Sequence, residues 1–497
     1  MTARGFEDDT SANEQLLDAH QAGHPVAPYR ALWMVLLLGW VVSYADRTVT
    51  GPVIAWMIQN EAGFIGDAAN PATVGGLVGS MFFLGYMLTQ YPGGRLGDRF
   101  GHREMVIVSL LAAGVLTVVS GLVTGLVAFV AFRVLTGLGE GVFYSNDRTL
   151  IINHTPVAKR TLGLGVVITG LSIGLTIGII FTPILINWGA SLGMGGGAWR
   201  MPFFVFAAFT FVVVAIAYAF FRTRLEGALR LGPPFLRLVL FSLPTFLVIV
   251  GLFLLAETFA WPEWLTATFA SVIALVYIVI IVRSVKQSGR GPALLNRNMW
   301  LIYVAYIAIL WNLWFFSFWS VQIVREAAQS SLLAAALTAA FNAGAGILGF
   351  PVGGWLADRA IRTGRGRKPL ALVCTGVYSV LVLIFGFSIS GGGQPSLGLL
   401  GLLLFASGVF FNALQPIVQG MTGDLVPASE RGSAFGMLNL VSEIGAVLSP
   451  VVSGILRDAT GSWAPGVYLA AGIMIVSFFL YALVREAPAH HEDPIPA

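Results

Sequence analysis

The sequence predicts an all-α membrane protein with about fourteen transmembrane helices, arranged as two six-helix bundles and an inserted two-helix hairpin. Three observations lead to this fold class: an apolar composition, regularly spaced apolar segments and an internal repeat. The chain has 497 residues, of which 57% are hydrophobic and only 10% are charged, and its mean hydropathy is +0.82. A water-soluble domain does not accommodate so much apolar surface, so we expect a polytopic membrane protein.

The apolar segments have the length of transmembrane helices. A helix needs ~20 apolar residues to cross a hydrocarbon core of ~30 Å. Measured in this way, the chain offers candidate spans that begin near residues 31, 75, 105, 126, 162, 201, 234, 264, 298, 332, 369, 396, 432 and 465.

Charges in the connections support this count of spans. Arg and Lys concentrate in alternate connections, for example 95–103 and 359–368, whereas the connections 59–74 and 388–398 contain neither. The positive-inside rule then predicts an even number of spans with both termini on the cytoplasmic face. We therefore expect a multi-pass protein of the plasma (inner) membrane.

The spans and connections divide the chain into five parts. These parts are a cytoplasmic tail (1–29), an amino-terminal six-helix bundle (30–222), a linker with the inserted hairpin (223–297), a carboxyl-terminal six-helix bundle (298–485) and a second cytoplasmic tail (486–497). The first tail lacks the basic region and short apolar core of a signal peptide. Gly and Pro in "LGPP" and "SGRGP" mark the borders of the hairpin.

Composition also limits the classes of site. The net charge of +4 follows the membrane topology, so no nucleic acid partner is expected. The single cysteine, Cys374, leaves no partner for an internal disulfide and no second thiolate for a metal. All six His residues fall in tails or connections, and no G-x-x-x-x-G-K-[ST] motif occurs. We expect no metal and no cofactor, and any transport is expected to be secondary.

Two sequence motifs occur once in each half of the chain. "GGRLGDRFGHR" at 93–103 returns as "GGWLADRAIRTGRGRK" at 353–368, and "PVAKRTLGLG" at 156–165 matches "PASERGSAFG" at 427–436. The two halves thus carry the same connections in the same order. This arrangement is expected of two six-helix bundles related by an axis along the membrane normal.

The first of these motifs resembles the loop signature of the major facilitator superfamily, G-x-L-a-D-R-x-G-R-K. In that family the Asp and Arg of the loop pair with neighbouring helix ends and stabilise the outward-open state. The resemblance implies a conformational latch formed by Gly94, Asp98, Arg99, Arg103, Asp358 and Arg359. The alternative is that these charges only determine topology.

Within that superfamily, "SYADRTVTGPV" in the first span and "RVLTGLGEGVFY" in the fourth resemble the anion:cation symporter family. Members of that family move organic anions such as sugar acids together with protons or sodium. The resemblance implies a functional role for four charged residues: Asp46, Arg47, Arg133 and Glu140. Tyr44, in the same stretch as Asp46 and Arg47, is a further candidate to contact the substrate. The resemblance also implies transport by alternating access, and we expect a monomer.

The same four charged residues call for an explanation on physical grounds. An ionisable group at the middle of a bilayer costs at least ~2.5–3.5 kcal/mol and faces a cavity or a partner. Arg133 and Glu140, seven residues apart, share one helix face, whereas Asp46 and Arg47 diverge by ~100°, so that one faces the fourth span and the other the central path.

Roles for these residues follow from their charges. A carboxylate can cycle a proton, so Asp46 and Glu140 are the candidate proton carriers. A guanidinium stays charged and matches a carboxylate, so Arg47 is the candidate substrate ligand, and Arg133 is expected to tune the carboxylates. The alternative is a buried structural ion network with no part in transport.

The carboxyl-terminal half supplies polar and aromatic residues for the opposite wall. Asn412, Gln415 and Gln419 recur on one face of the span that begins near residue 396. The span that begins near residue 298 carries Tyr303, Tyr306, Trp311, Asn312, Trp314 and Trp319. These residues are candidates to contact a substrate, or to hydrogen bond and pack between helices.

Two departures from the symporter pattern leave an alternative open. Fourteen spans are typical of drug:proton antiporters, although the Gly-Pro-Gly-Gly signature of those exporters is absent from "GLTIGIIFTPILINWG". Glu443, an acid within an apolar span, is not part of the symporter pattern, and its role is open. The function predicted is proton-coupled symport of a small organic anion. One alternative is proton-coupled export of drugs, amphiphiles or lipids. A second is a membrane receptor, which the duplicated loops disfavour.

Overall fold

A computed structural model describes residues 29–66, 68–155, 160–225, 229–259, 261–287, 289, 291–391, 393–426 and 431–485. Within these ranges, fourteen helices are long and apolar enough to cross a membrane, which confirms the predicted fold class. The predicted tails, apart from Tyr29, and parts of the second repeated motif (156–159 and 427–430) lie outside the described residues.

The membrane helices are numbered in chain order. They are α1 (Tyr29–Gln59), α2 (Pro71–Phe100), α3 (His102–Leu122), α4 (Leu126–Glu140 and Phe143–His154), α5 (Arg160–Ser191), α6 (Met201–Arg224), α7 (Gly232–Thr258), α8 (Glu263–Gln287), α9 (Arg297–Ala328), α10 (Leu332–Gly344 and Gly346–Arg362), α11 (Lys368–Ser390), α12 (Leu397–Asp424), α13 (Arg431–Thr460) and α14 (Ala464–Leu483). Three short helical turns, at Gly63–Gly66, Gly195–Arg200 and Gly291–Leu294, lie in the connections.

Each half of the chain packs its helices in the same pairs. In the amino-terminal bundle α1 packs on α5, α2 on α4 and α3 on α6; in the carboxyl-terminal bundle α9 packs on α13, α10 on α12 and α11 on α14. The repeated motifs in the sequence therefore correspond to a repeated three-dimensional arrangement.

The two bundles meet along three pairs of helices: α2 with α13, α5 with α10, and α1 with α9. We call the membrane side that carries Tyr29 and Arg485 the near side and the side that carries Gln59 and Pro71 the far side. On the far side the backbones approach closely, because a Cβ atom on Gly76 would lie 2.4 Å from the carbonyl oxygen of Pro450. The far ends of α2 and α13 are thus packed against each other.

The inserted hairpin, α7 and α8, lies on the outer side of the contact between α2 and α13. Helix α7 packs on α2 and α4, and α8 packs on α2 and α13. The hydroxyl of Tyr277 on α8 donates a hydrogen bond to the carbonyl oxygen of Leu88 on α2 at 3.0 Å. Outward-facing side chains of the hairpin, such as Leu247 and Val248, are more than half exposed, as expected of a surface that contacts lipid. The hairpin therefore covers one seam between the bundles.

Candidate functional site

Arg47 forms a buried ion pair with Glu140 about half-way along α1. The Nε of Arg47 donates to Oε2 of Glu140 at 2.6 Å, and both side chains are 1% exposed. Ser43, one turn before Arg47, donates its hydroxyl to the same oxygen at 2.8 Å and accepts from Nη2 of Arg47 at 3.1 Å. The other oxygen of Glu140, Oε1, is buried and has no hydrogen-bond partner among the described residues. One acceptor of this carboxylate is therefore free to take a proton.

A second ion pair lies beside the first. The Nη1 of Arg133 is 3.3 Å from Oδ2 of Asp46, and Thr117 on α3 donates its hydroxyl to Oδ1 at 2.6 Å. Arg133 also donates to Ser120 at 3.0 Å and to Thr136 at 3.3 Å. Both oxygens of Asp46 are thus hydrogen bonded inside the amino-terminal bundle, which offsets part of the cost of burying this charge pair.

The angle of ~100° between neighbouring helix positions predicts that one of Asp46 and Arg47 faces α4 and the other the central path; the structure differs in that Arg47, at the interface between the bundles, also pairs with α4. Both residues pair with α4, because Arg133 and Glu140, two turns apart on one face, reach adjacent positions on α1. The long guanidinium side chains on both helices span the ~100° between neighbouring residues. Arg47 nevertheless also faces the interface between the bundles.

Glycines on α4 bring α2 close to this site. A Cβ atom on Gly137 would lie 2.2 Å from the carbonyl oxygen of Phe82, and one on Gly141 would lie 2.3 Å from that of Tyr86. Only residues without a side chain fit at these two positions, four apart on one face. The close approach places the ring of Tyr86 4.2 Å from the guanidinium of Arg47.

Tyr44 links the ion pair to the carboxyl-terminal bundle. The guanidinium of Arg47 lies 4.6 Å from the centre of the Tyr44 ring. That ring stacks on Trp314 of α9 with a centroid distance of 5.9 Å, and Trp314 also contacts Phe83 of α2 at 4.2 Å. Arg47 is thus held between two tyrosines at the point where the two bundles meet.

Glu443 bridges the bundles on the near-side half of the interface. Its Oε1 accepts from Nε2 of Gln90 on α2 at 3.1 Å, while Asn439 donates to Oε1 of Gln90 at 2.9 Å. The second oxygen, Oε2, is buried without a hydrogen-bond partner among the described residues. Arg47 lies against Tyr86, and Glu443 contacts Gln90, one turn further along α2. The acid whose role the sequence left open therefore lies at the interface.

The candidate amides of the carboxyl-terminal bundle are in different environments. Asn312 is fixed between helices, because it accepts from the Tyr378 hydroxyl at 2.8 Å and donates to the carbonyl oxygen of Ala470 at 3.2 Å. Asn412 donates to the backbone of its own helix at 2.8 Å. Gln419 donates to the hydroxyl of Tyr306 at 3.3 Å. The Nε2 of Gln415 is buried and has no hydrogen-bond partner among the described residues.

The candidate latch residues lie at the near side. A Cβ atom on Gly94 would lie 3.3 Å from Cβ of Ser145 on α4. Arg103 donates to the carbonyl oxygen of Leu225, at the end of α6, at 3.0 Å, whereas Arg99 and Arg359 are exposed. The side chains of Asp98 and Asp358 lie outside the described residues.

Sequence reasoning missed a third pair of buried charges, Asp147 and Arg148. A span of ~20 residues that begins near residue 126 ends before Arg148, but α4 continues to His154 after a break at Gly141 and Val142. Asp147 is fully buried and accepts from Nε1 of Trp40 at 2.6 Å. Gln90, Asn439 and Tyr86 were missed as well, and the signal that could have found Gln90 is an amide within the apolar run "FFLGYMLTQ".

The arrangement can bind an anion and exchange a proton. A guanidinium at the bundle interface offers donors in a planar fork, and each bundle supplies a buried carboxylate with one unpartnered oxygen, Glu140 in contact with Arg47 and Glu443 in contact with Gln90. Among the described residues, no group of three or more His, Cys, Asp and Glu side chains could hold a metal ion.

Comparisons with known proteins agree with this architecture. The chain is 25% identical to the probable sulfoacetate transporter SauU of Cupriavidus necator, over 91% of this chain and 94% of that protein. It is 24% identical to the 4-hydroxybenzoate transporter PcaK of Pseudomonas aeruginosa, over 94% and 95%. It is also 22% identical to the hexuronate transporter of Bacillus subtilis, over 93% and 97%.

Solved structures share the fold at low sequence identity. The peptide transporter POT in complex with sulfate superimposes with a TM-score of 0.66 at 15% identity and covers 94% of this chain and 97% of its own. The D-xylose–proton symporter gives 0.64 at 15% identity, over 92% and 98%. The family model for the major facilitator superfamily matches residues 36–364 and 302–497. The chain is therefore a multi-pass membrane transporter that belongs to the major facilitator superfamily.

Proposed function

We propose that the protein carries a small organic anion, with a carboxylate or a similar acidic group, across the plasma (inner) membrane together with a proton. The observation that carries this proposal is the ion pair between Arg47 and Glu140. It is buried, lies about half-way along the membrane helix α1 and faces the interface between the bundles. The other partners of the protein are the bilayer and protons, and it acts as a monomer.

The ion pair provides a physical route to coupling. Glu140 and a substrate carboxylate compete for the same guanidinium, because both are planar anions that match its fork. When Glu140 takes a proton on its unpartnered oxygen, its attraction for Arg47 falls and the guanidinium can bind the substrate. When the substrate leaves, Glu140 again pairs with Arg47 and releases the proton. Binding of the anion and of the proton therefore favour each other.

Asp46 and Arg133 form the second ion pair of the proposed coupling mechanism. Asp46 is the second proton-exchanging carboxylate, and Arg133 is the fixed positive charge that tunes it by direct attraction. Glu443 supplies a carboxylate from the opposite bundle, near Arg47. Tyr44, Gln415 and Gln419 line the path and contact the substrate, whereas Asn312 and Asn412 act through helix packing.

The names of the relatives support the class of substrate. The three relatives compared above are named for sulfoacetate, 4-hydroxybenzoate and hexuronate, and each of these compounds carries an acidic group and at least one further polar group. The identity of 22–25% supports an organic acid as the substrate of this chain.

Contacts on the far side support alternating access. The backbone nitrogen and the hydroxyl of Thr73, at the start of α2, donate to Oδ2 of Asp458 on α13 at 2.7 Å and 2.6 Å. A carboxylate at a helix amino terminus is favoured by the helix dipole. These bonds join the bundles at the far end only while that end is closed, so opening to the far side requires that they break.

The inserted hairpin favours one further candidate, proton-coupled export of drugs, amphiphiles or lipids. A cavity of about 330 Å³ lies between the far end of the hairpin and α2, and Leu77, Phe253 and Trp261 are among its lining residues. Its lining also includes Glu257, and a cavity next to lipid that combines apolar and charged groups suits an amphiphile.

Transport by purified protein in proteoliposomes separates these functions. We expect an inward proton gradient to drive accumulation of at least one member of a panel of hydroxy acids, aromatic acids and sulfonates. Lipophilic cations should not be moved. Uptake of no anion, together with proton-driven movement of a lipophilic cation in the opposite direction, would overturn the proposal and support export.

A further inference from the structure

A second arginine, Arg148, lies on α4 between the level of Arg47 and the near side. It sits on the second segment of α4, eight residues after Glu140, so it is about 12 Å nearer that side. Its guanidinium lies 5.5 Å from the ring centre of Trp40 and 5.1 Å from that of Tyr144. Its side chain is 19% exposed, so the group is not fully enclosed.

Arg148 is only loosely paired with its neighbouring acid. Its Nε lies 3.9 Å from Oδ1 of Asp147, which is too far for a hydrogen bond. Both of these atoms are buried without a hydrogen-bond partner among the described residues. Asp147 instead accepts from Trp40 through its other oxygen. A buried guanidinium donor that lacks an acceptor is costly, and an anion in the path would supply that acceptor.

Arg148 and Arg47 are connected by one stack of aromatic rings. Arg47 lies against Tyr44, Arg148 lies against Trp40, and the two rings stack on each other with a centroid distance of 5.1 Å. The guanidinium groups thus occupy the two ends of one aromatic stack.

The opposite bundle contacts the same aromatic stack. Tyr44 also stacks on Trp314 of α9 with a centroid distance of 5.9 Å. A ligand held along the stack between Arg47 and Arg148 would therefore lie beside both bundles.

We propose that Arg148 is a second anion-binding residue of the transport path, and that the substrate carries two acidic groups, one for Arg47 and one for Arg148. This inference rests on the proposed function, because it assigns a class of substrate to the same path. Protonation of Glu140 frees the donors of Arg47 for one acidic group, and the Nε of Arg148, which has no hydrogen-bond partner among the described residues, is a donor for a second. A monoanion bound to Arg47 would leave that donor of Arg148 without an acceptor.

Equilibrium binding to purified protein tests this inference with matched ligands. The probes are malonate, succinate and tartrate, each compared with its monoamide, which has nearly the same shape and one charge fewer. We expect the wild type to prefer at least one diacid over its monoamide. Arg148→Ala should lower affinity for that diacid by about tenfold or more and leave affinity for the monoamide within about threefold. Arg148→Lys should restore part of the preference, because it keeps the charge but not the fork.

Two controls protect the comparison. Arg222→Ala removes the same charge from an exposed position at the end of α6 and should leave the preference unchanged. If Arg148→Ala does not fold, the double variant Asp147→Asn/Arg148→Gln, which removes both charges of the pair, should lose the preference in the same way.

Two results would contradict the inference. If the wild type binds monoamides as tightly as diacids, or if the variants at Arg148 lower both affinities equally, the assignment of Arg148 is wrong while the proposed function stands. If the wild type binds no carboxylate of a panel that also includes hexuronate, 4-hydroxybenzoate and sulfoacetate, the proposed function and this inference both fail.

Discussion

Arg47 lies 2.6 Å from Glu140 and between the rings of Tyr44 and Tyr86, at the point where the two bundles of the transporter meet. The pair combines a fixed positive charge with a carboxylate that has one unpartnered oxygen. A substrate anion and Glu140 cannot both occupy the same donors of Arg47. Our predictions about coupling follow from this competition.

Glu140→Gln and Asp46→Asn should each abolish accumulation driven by a proton gradient, because an amide does not cycle a proton. Exchange of labelled for unlabelled substrate, which needs no net proton movement, should survive in at least one of them. Uptake and counterflow into proteoliposomes check this pair of outcomes. Full proton-driven accumulation by both variants would remove these residues from coupling.

Asp458→Asn should favour opening of the far side. The change weakens two hydrogen bonds from Thr73 to a charged acceptor, and such bonds contribute ~1.5–3 kcal/mol each. Distances between spin labels on the far ends of α2 and α13 should shift to longer values. Asp424→Asn, which loses a contact with Arg367 inside one bundle, should leave the distribution unchanged; an equal shift in both variants would contradict a specific role for Asp458.

Asp98→Asn tests the latch implied by the repeated loop. The loss of a charged contact at a helix end, ~1–3 kcal/mol, should weaken the outward-facing state and shift the population inward. Labels on the far rims of the two bundles would then report shorter distances, opposite to the effect of Asp458→Asn. An unchanged distribution would leave the loop charges with a role in topology alone.

Gly137→Ala should destabilise the protein, because the new Cβ would lie 2.2 Å from the carbonyl oxygen of Phe82. Overpacking of this kind costs ~1–3 kcal/mol, and it would also move Tyr86 away from Arg47. Thermal melting in detergent measures the effect, and substrate affinity should fall with it. Gly165→Ala is the control, since a Cβ there meets nothing within 4 Å; equal melting temperatures for both variants would contradict the packing argument.

The fold could be predicted because its signals are local or repeated. Apolar segments of the right length, alternating loop charges and two copies of one loop each lie in continuous stretches of sequence. The sequence also predicts that four buried charges lie close together, namely Asp46, Arg47, Arg133 and Glu140. Charged residues within apolar spans have few other possible partners.

The rest of the site depends on how distant helices pack. Gln90 and Glu443 are 353 residues apart in the chain, and no local pattern shows that α2 and α13 meet. With a predicted length of ~20 residues per span, the fourth span ends before Arg148, whereas α4 in the structure continues to His154 after its break. The amides on α12 share a helix face, but their hydrogen-bond partners differ because each meets a different neighbour.

The most direct test of the central claim is equilibrium binding to the wild type, Arg47→Lys and Arg47→Ala, with one organic acid and one lipophilic cation as ligands. A desolvated charge pair costs ~2–5 kcal/mol when one partner is truncated, so Arg47→Ala should lower affinity for the acid by about thirtyfold or more. Arg47→Lys should also bind it weakly, because the fork geometry is lost although the charge remains. Our account predicts that the wild type binds the acid and not the cation. Binding of the cation but not the acid, unchanged or strengthened in Arg47→Ala, would contradict it.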